Sequence, residues 1–272
     1  MSTQPYRFVF PVGVSGSGST LLTRILGGVP GAVALGGHVK IPSVSFPDDD
    51  VDAHDIVRRF NAATERLWDR QAVPPQRHDA GRNMLALIEE LRALEAYRNT
   101  SHVVYKRSFP FFIGDRYRPD LHDLFELFDD VRLVVIYRDP RASTASSLRR
   151  EFGPHLRACA VVIEEQLTYI AAQLATLDPA RYIITAYEEL CANPVPIVRQ
   201  LARFCGLDEE AMVRRAHTEK VEVGRNDRWG SELSADEIAF LDRFFDARRR
   251  RQWSLLTTSS RIVSSEIAEV TA

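Results

Sequence analysis

An α/β fold, with a parallel β-sheet flanked by helices, is what this sequence predicts from three observations. First, Phe8, Val9, Phe10, Val12 and Val14 form a β-favouring apolar run; a Ser/Gly turn follows, then Leu21, Leu22, Ile25 and Leu26 at helical spacing. Second, Leu133 to Tyr137 is a continuous apolar run, the pattern of a strand buried on both faces, and it too leads into a helix. Third, short β-rich runs at Val103–Tyr105 and Tyr182–Ile184 alternate with long amphipathic stretches.

The first unit carries the chemistry. Strand, tight glycine turn and helix N-terminus aim backbone N–H groups and the positive end of a helix dipole at one point, which suits an anion. Gly13 and Gly18 stand as G-x-x-x-x-G, with Thr20 in place, so the spacing nearly matches a nucleotide P-loop. Ser19 occupies the position of the P-loop lysine, which argues against ATP chemistry.

Composition narrows the class. The chain has 272 residues, 45% hydrophobic and 26% charged, enough for one large α/β domain. A formal net charge of -2 gives no reason to expect a nucleic-acid partner. Cys159, Cys191 and Cys205 are widely spaced and odd in number. They fit neither a zinc site nor a disulfide framework, so a reducing, cytoplasmic setting is expected. No apolar run is long enough for a membrane span, and no signal peptide or internal repeat is read.

Taken in order, Val33 and Leu35 suggest a second strand ending at Gly36 and Gly37, with His38 a candidate beyond it. Residues 42–54 read as a polar loop. Amphipathic helices are expected over about 55–69 and 82–98, separated by the proline-bearing stretch at Pro74 and Pro75. Together these make a helical insertion at about 42–100, a candidate lid or substrate wall. Lys106, Arg107 and Ser108 follow the strand at Val103–Tyr105. Residues 119–129 read as helix. Arg138 ends the Leu133–Tyr137 strand, Asp139 and Pro140 read as N-cap and first helical residue, and Ser146 lies eight residues after Arg138. A turn onto that helix could bring Arg138 and Ser146 to one phosphate, the arginine as a planar fork and the serine as a short donor. Helices are expected at 156–177, from Ile197 to Phe204 with a stop at Gly206, and over about 234–250 behind a Ser234/Glu237 capping box. Residues 1–256 are read as one domain and 257–272 as a flexible tail.

In combination these stretches resemble the sulfotransferases that use 3′-phosphoadenosine 5′-phosphosulfate (PAPS). Ser17-Gly18-Ser19-Thr20-Leu21-Leu22 is similar to the family's 5′-phosphosulfate loop. Arg138-Asp139-Pro140-Arg141 with Ser146 resembles its 3′-phosphate motif, and Lys106 its strand-end lysine. Tyr187-Glu188-Glu189-Leu190 with Asn193-Pro194, and Trp229 before the last helix, match in the same order. The resemblance implies a P-loop nucleoside triphosphate hydrolase-like fold, PAPS as co-substrate and no metal. It would set the helical insertion at about 42–100 over the active site, on the acceptor side. It implies sulfuryl transfer to a hydroxyl, less readily an amine, of a small molecule, sugar or lipid. Ser15, Gly16, Ser17, Gly18, Ser19, Thr20 and Leu21 would hold the phosphosulfate. Arg138 and Ser146, helped by Arg225 or Arg228, would hold the 3′-phosphate, and Tyr187 and Trp229 would lie against adenosine.

The basic residue that precedes the family's loop is Gly16 here, and a histidine base found in some members is replaced by Ser108. Lys106 is therefore expected to supply the cation on the bridging oxygen. His38 is the candidate base, with Ser108 beside Lys106 as a third catalytic candidate. A homodimer is admitted as an assembly. The competing readings are a diverged P-loop kinase and a non-catalytic nucleotide-binding protein.

Overall fold

The computed structural model describes residues 5–35, 46–47, 49–106, 116–219, 221, 228–258 and 262–263. The chain runs β1 (Arg7–Val12), α1 (Ser19–Gly27), β2 (Ala32–Leu35), α2 (Val51–Leu67), α3 (Pro74–Ala93), β3 (His102–Tyr105), α4 (Leu121–Leu127) and β4 (Val131–Tyr137). It continues through α5 (Pro140–Arg149), α6 (Leu156–Leu174), β5 (Tyr182–Ala186), α7 (Tyr187–Ala192), α8 (Pro194–Cys205), α9 (Glu209–Thr218), α10 (Arg228–Glu232), α11 (Ala235–Thr258) and β6 (Ile262–Val263). The strands form one sheet in the order β2-β3-β1-β4-β5-β6, and every pairing is parallel.

Successive strand side chains alternate between two apolar layers. Phe8, Phe10, Tyr105, Leu133 and Val135 pack with α2, α3, α4, α6 and α11 on one face. Val9, Val104, Val134, Ile136 and Ile183 pack with α1, α7, α8 and α9 on the other. Both faces are covered, which is why β4 is continuously apolar from Leu133 to Tyr137. β1 sits between β3 and β4, where the chain passes from one half of the sheet to the other. The carboxyl ends of strands at such a switch point form a crevice open to ligand. That edge carries Lys106, the β1–α1 loop, Arg138 and Tyr187.

Local details follow their sequence signals in several places. The Asp139 carboxylate accepts from the Arg141 N–H at 2.9 Å and caps α5, with Pro140 in the first turn. Ser234 and Glu237 exchange hydrogen bonds, as a capping box requires. Gly206 closes α8 in the left-handed conformation at φ 72°.

Three readings change. Pro74 and Pro75 do not separate two helices; they open α3, where a missing N–H costs nothing because the first turn leaves it unpaired. α2 and α3 do more than overhang a site. Ile56, Phe60, Met84, Ile88 and Leu91 are buried in the same core as Phe8 and Tyr105, so the pair is a full part of one helical layer. Within the stretch read as a tail, α11 runs to Thr258, and Ile262 and Val263 pair with Ile184 and Thr185 of β5.

Candidate active site

β1 delivers the chain into the sheet edge at Gly13, and the next five residues fold back on themselves. The Ser17 N–H donates to the Val14 carbonyl at 3.1 Å, and the Ser15 N–H donates to Gln166 Oε1 on α6 at 3.3 Å. Two glycines take conformations that side chains resist: Gly16 at φ 79° and Gly18 at φ 96°. Gly18 is the N-cap of α1 and has no side chain to bond the first turn, whereas α2, α4, α5, α6 and α9 are each capped by a side chain. The N–H groups opening α1 are thus left to something other than a cap.

The loop packs directly on α5 and α7. A Cβ on Gly16 would stand 2.9 Å from Ser146 Cβ and 3.0 Å from the Ser143 carbonyl oxygen, and one on Gly18 would stand 2.4 Å from the Tyr187 ring. Arg138 closes the arrangement. Its Nη1 donates to the Gly16 carbonyl at 2.7 Å, and its guanidinium lies 4.5 Å from the Tyr187 ring centroid. Burial pushes the Arg138 guanidinium below its ordinary pKa, yet arginine keeps its charge. A desolvated cation therefore stands at the base of a glycine cradle, beside the buried Ser146.

The positive-φ glycine turn, the uncapped start of α1 and Arg138 together fit an anionic ligand. Ser17 Oγ and Ser143 Oγ are buried beneath the turn and have no hydrogen-bond partner among the described residues. Behind the cradle, Glu188 is half-buried; partial burial raises its carboxyl pKa, and it accepts the Asp139 N–H at 2.9 Å. It fixes the turn that aims Arg138.

Of the residues singled out in the sequence, Gly16, Gly18, Arg138, Ser146 and Tyr187 meet in one place. Lys106 is buried at the end of β3, and its N–H donates to the Leu35 carbonyl at 3.2 Å. Continuing the Val9–Val104 register by two residues sets it level with Pro11, at the edge from which the loop departs. Trp229 lies on α10 and stacks at 4.8 Å on Arg141, which is held by Asp139 and Asp242; Arg228 beside it is exposed. His38, Ser108 and Arg225 lie outside the described residues. Gln166 and Glu188 went unread as site residues. The one available signal for Gln166 is a polar residue set within the buried stripe Ile163, Leu167 and Ile170 of α6.

The same geometry says what a basic residue at the Gly16 position would do. Gly16→Arg places a Cβ against Ser146 and the Ser143 carbonyl at a positive φ, so it is expected to destabilise the protein by roughly 2–4 kcal/mol. A thermal melt checks this. An unchanged melting temperature would mean that the loop can re-form around a side chain.

Comparison with known proteins bears on the same residues. A model described as "Sulfotransferase family" matches residues 9–211. Mouse carbohydrate sulfotransferase 5 is 31% identical over 141 residues, covering 42% of this chain and 34% of that protein, so the match spans about a third of the relative's length. Among solved structures, the sulfotransferase domain of the Synechococcus PCC 7002 olefin synthase superposes with a TM-score of 0.52 at 19% identity, covering 89% of this chain and 95% of that one. A sulfotransferase from Alicyclobacillus acidocaldarius gives 0.54 at 15% identity, covering 93% and 96%. A mouse sulfotransferase complexed with PAP gives 0.51 at 11% identity, covering 95% and 90%. At such identities these likenesses speak for the fold.

Proposed function

The chain belongs to the sulfotransferase family, and we propose that it transfers the sulfuryl group of PAPS to an acceptor hydroxyl, or less readily an amine. The observation that carries the reading is the convergence of Arg138, Ser146 and the Gly16–Gly18 turn on one anion-accepting cradle. In this reading the loop from Ser15 to Leu21 binds the 5′-phosphosulfate, while Arg138 and Ser146 bind the 3′-phosphate, with Arg225 or Arg228 in support. Tyr187 and Trp229 flank the adenosine. The donor supplies an activated sulfur. The acceptor oxygen attacks it in line, the sulfur–oxygen bond to the 5′-phosphate breaks, and its electron pair passes to the phosphate oxygen. Lys106 stabilises the charge that grows on that oxygen, and His38 takes the acceptor proton. The task of the protein is then positioning and electrostatic stabilisation, and no metal enters the scheme.

We place a carbohydrate hydroxyl first among acceptors, ahead of lipids and other small molecules, because the mouse relative is a carbohydrate sulfotransferase. The reducing, cytoplasmic setting is part of the same proposal. It rests on three buried cysteines that form no disulfide among the described residues. Among the described residues no helix is long and apolar enough to cross a membrane.

Thermal stabilisation by adenosine 3′,5′-bisphosphate, with AMP and ATP·Mg²⁺ alongside, tests the donor site. At a hundred times its dissociation constant a ligand adds about 2.7 kcal/mol, which should raise the melting temperature by roughly 5–10 °C. AMP should give little and ATP·Mg²⁺ nothing. A shift with ATP·Mg²⁺ alone would sink the reading and promote the kinase alternative. Release of the bisphosphate from PAPS across a panel of acceptors then separates an enzyme from a non-catalytic binder.

A further inference from the structure

We infer that Arg149 is a further ligand for the 3′-phosphate, held in the absence of donor by Glu232 and exchanged from that carboxylate to the phosphate on binding. The inference rests on the donor-site reading above and adds a residue that no sequence motif marks.

Arg149 ends α5, three residues after Ser146, and residues three apart on a helix are surface neighbours. Its charge reaches the same space as that of Arg138: after burial, Arg149 is among the influences that push the Arg138 guanidinium down. Arg149 has its counter-charge on α10, where its Nη1 alone meets both carboxylate oxygens of Glu232, at 2.6 and 2.8 Å. This end-on contact leaves the two-nitrogen fork, Nε and Nη2, without a hydrogen-bond partner among the described residues.

Magnitudes favour exchange. The Arg149 and Glu232 side chains are 53% and 38% exposed, and an ion pair that open to water contributes at most about 1 kcal/mol. A phosphate gripped by the arginine fork makes shorter, charge-assisted bonds and is the stronger partner. Opening the pair does not free α10, because Trp229 stays stacked on Arg141, which Asp139 and Asp242 hold in place. Glu232 thus screens Arg149 until a dianion arrives, and its negative charge opposes binding of that dianion.

The test is calorimetric titration of wild type, Arg149→Gln and Glu232→Gln with adenosine 3′,5′-bisphosphate and, separately, AMP, which lacks the 3′-phosphate. Arg149→Gln should weaken bisphosphate binding by roughly ten- to a hundredfold and leave AMP binding unchanged, the loss expected of one charge-assisted contact. Glu232→Gln should tighten bisphosphate binding about two- to threefold, because it keeps the shape and removes the opposing charge. Three results would overturn the inference while leaving the donor reading intact: Arg149→Gln without effect, Arg149→Gln weakening both ligands equally, or Glu232→Gln weakening the bisphosphate as the arginine variant does. A wild type that does not prefer the bisphosphate to AMP overturns the donor reading itself and this inference with it.

Discussion

Replacing Lys106 with alanine is expected to lower kcat by about 10²–10³-fold while the donor KM stays within about threefold, the signature of an interaction made in the transition state. The physical case begins with what the loop lacks. Gly16 presents no cation, and the packing of Ser146 and the Ser143 carbonyl against it leaves no room for one. Charge that builds on the departing phosphate oxygen must then be met from another element. β3 lies directly beside β1, and Lys106, buried just past its carboxyl end, is a second cation at the edge that carries Arg138 and the one the proposed mechanism assigns to that oxygen. Steady-state kinetics with PAPS and a turned-over acceptor would measure the split. A retained bisphosphate-induced thermal shift would show the variant folded. Unchanged kcat would remove Lys106 from the mechanism, and a rise in KM alone would make it a binding residue.

Arg138→Met is expected to weaken adenosine 3′,5′-bisphosphate binding by about a hundredfold, since charge-assisted hydrogen bonds of about 1.5–3 kcal/mol are lost. It should also lower stability by roughly 1–2 kcal/mol, because the Gly16 carbonyl loses its 2.7 Å donor and Tyr187 its stacked cation. Arg138→Lys should recover little of the binding. A single ammonium cannot donate to the Gly16 carbonyl and also present a planar fork to phosphate. Titration calorimetry and thermal melts of the two variants check both effects. Bisphosphate affinity within about threefold of wild type in Arg138→Met would place the 3′-phosphate elsewhere.

Much of this site was legible because its signals are local. Apolar runs that end in Gly16-Ser17-Gly18 or in Arg138-Asp139-Pro140 state where a strand stops and a helix starts. Ser146 falls on the helix that Asp139 caps, so its closeness to Arg138 follows from helical spacing and a turn. Where the reading failed, a local signal had two meanings. Pro74-Pro75 breaks a helix or begins one, and only burial of Ala80, Met84 and Ile88 below it decides which. α9 went unread, because its buried residues Ala211, Met212 and Ala216 are few and set among charges.

The sequence by itself determined a parallel α/β sheet, the glycine turn, the strand-end cations and the family they resemble, since each depends on residues within one or two turns of one another. The tertiary structure alone decided which residues meet across elements: Gln166 on the Ser15 amide, Glu188 behind Asp139, Arg141 beneath Trp229, and Glu232 on Arg149. Each of these pairs joins different elements. Their partners are chosen by how helices pack on the sheet and by which polar groups must be satisfied once buried, and no spacing along the chain encodes that choice.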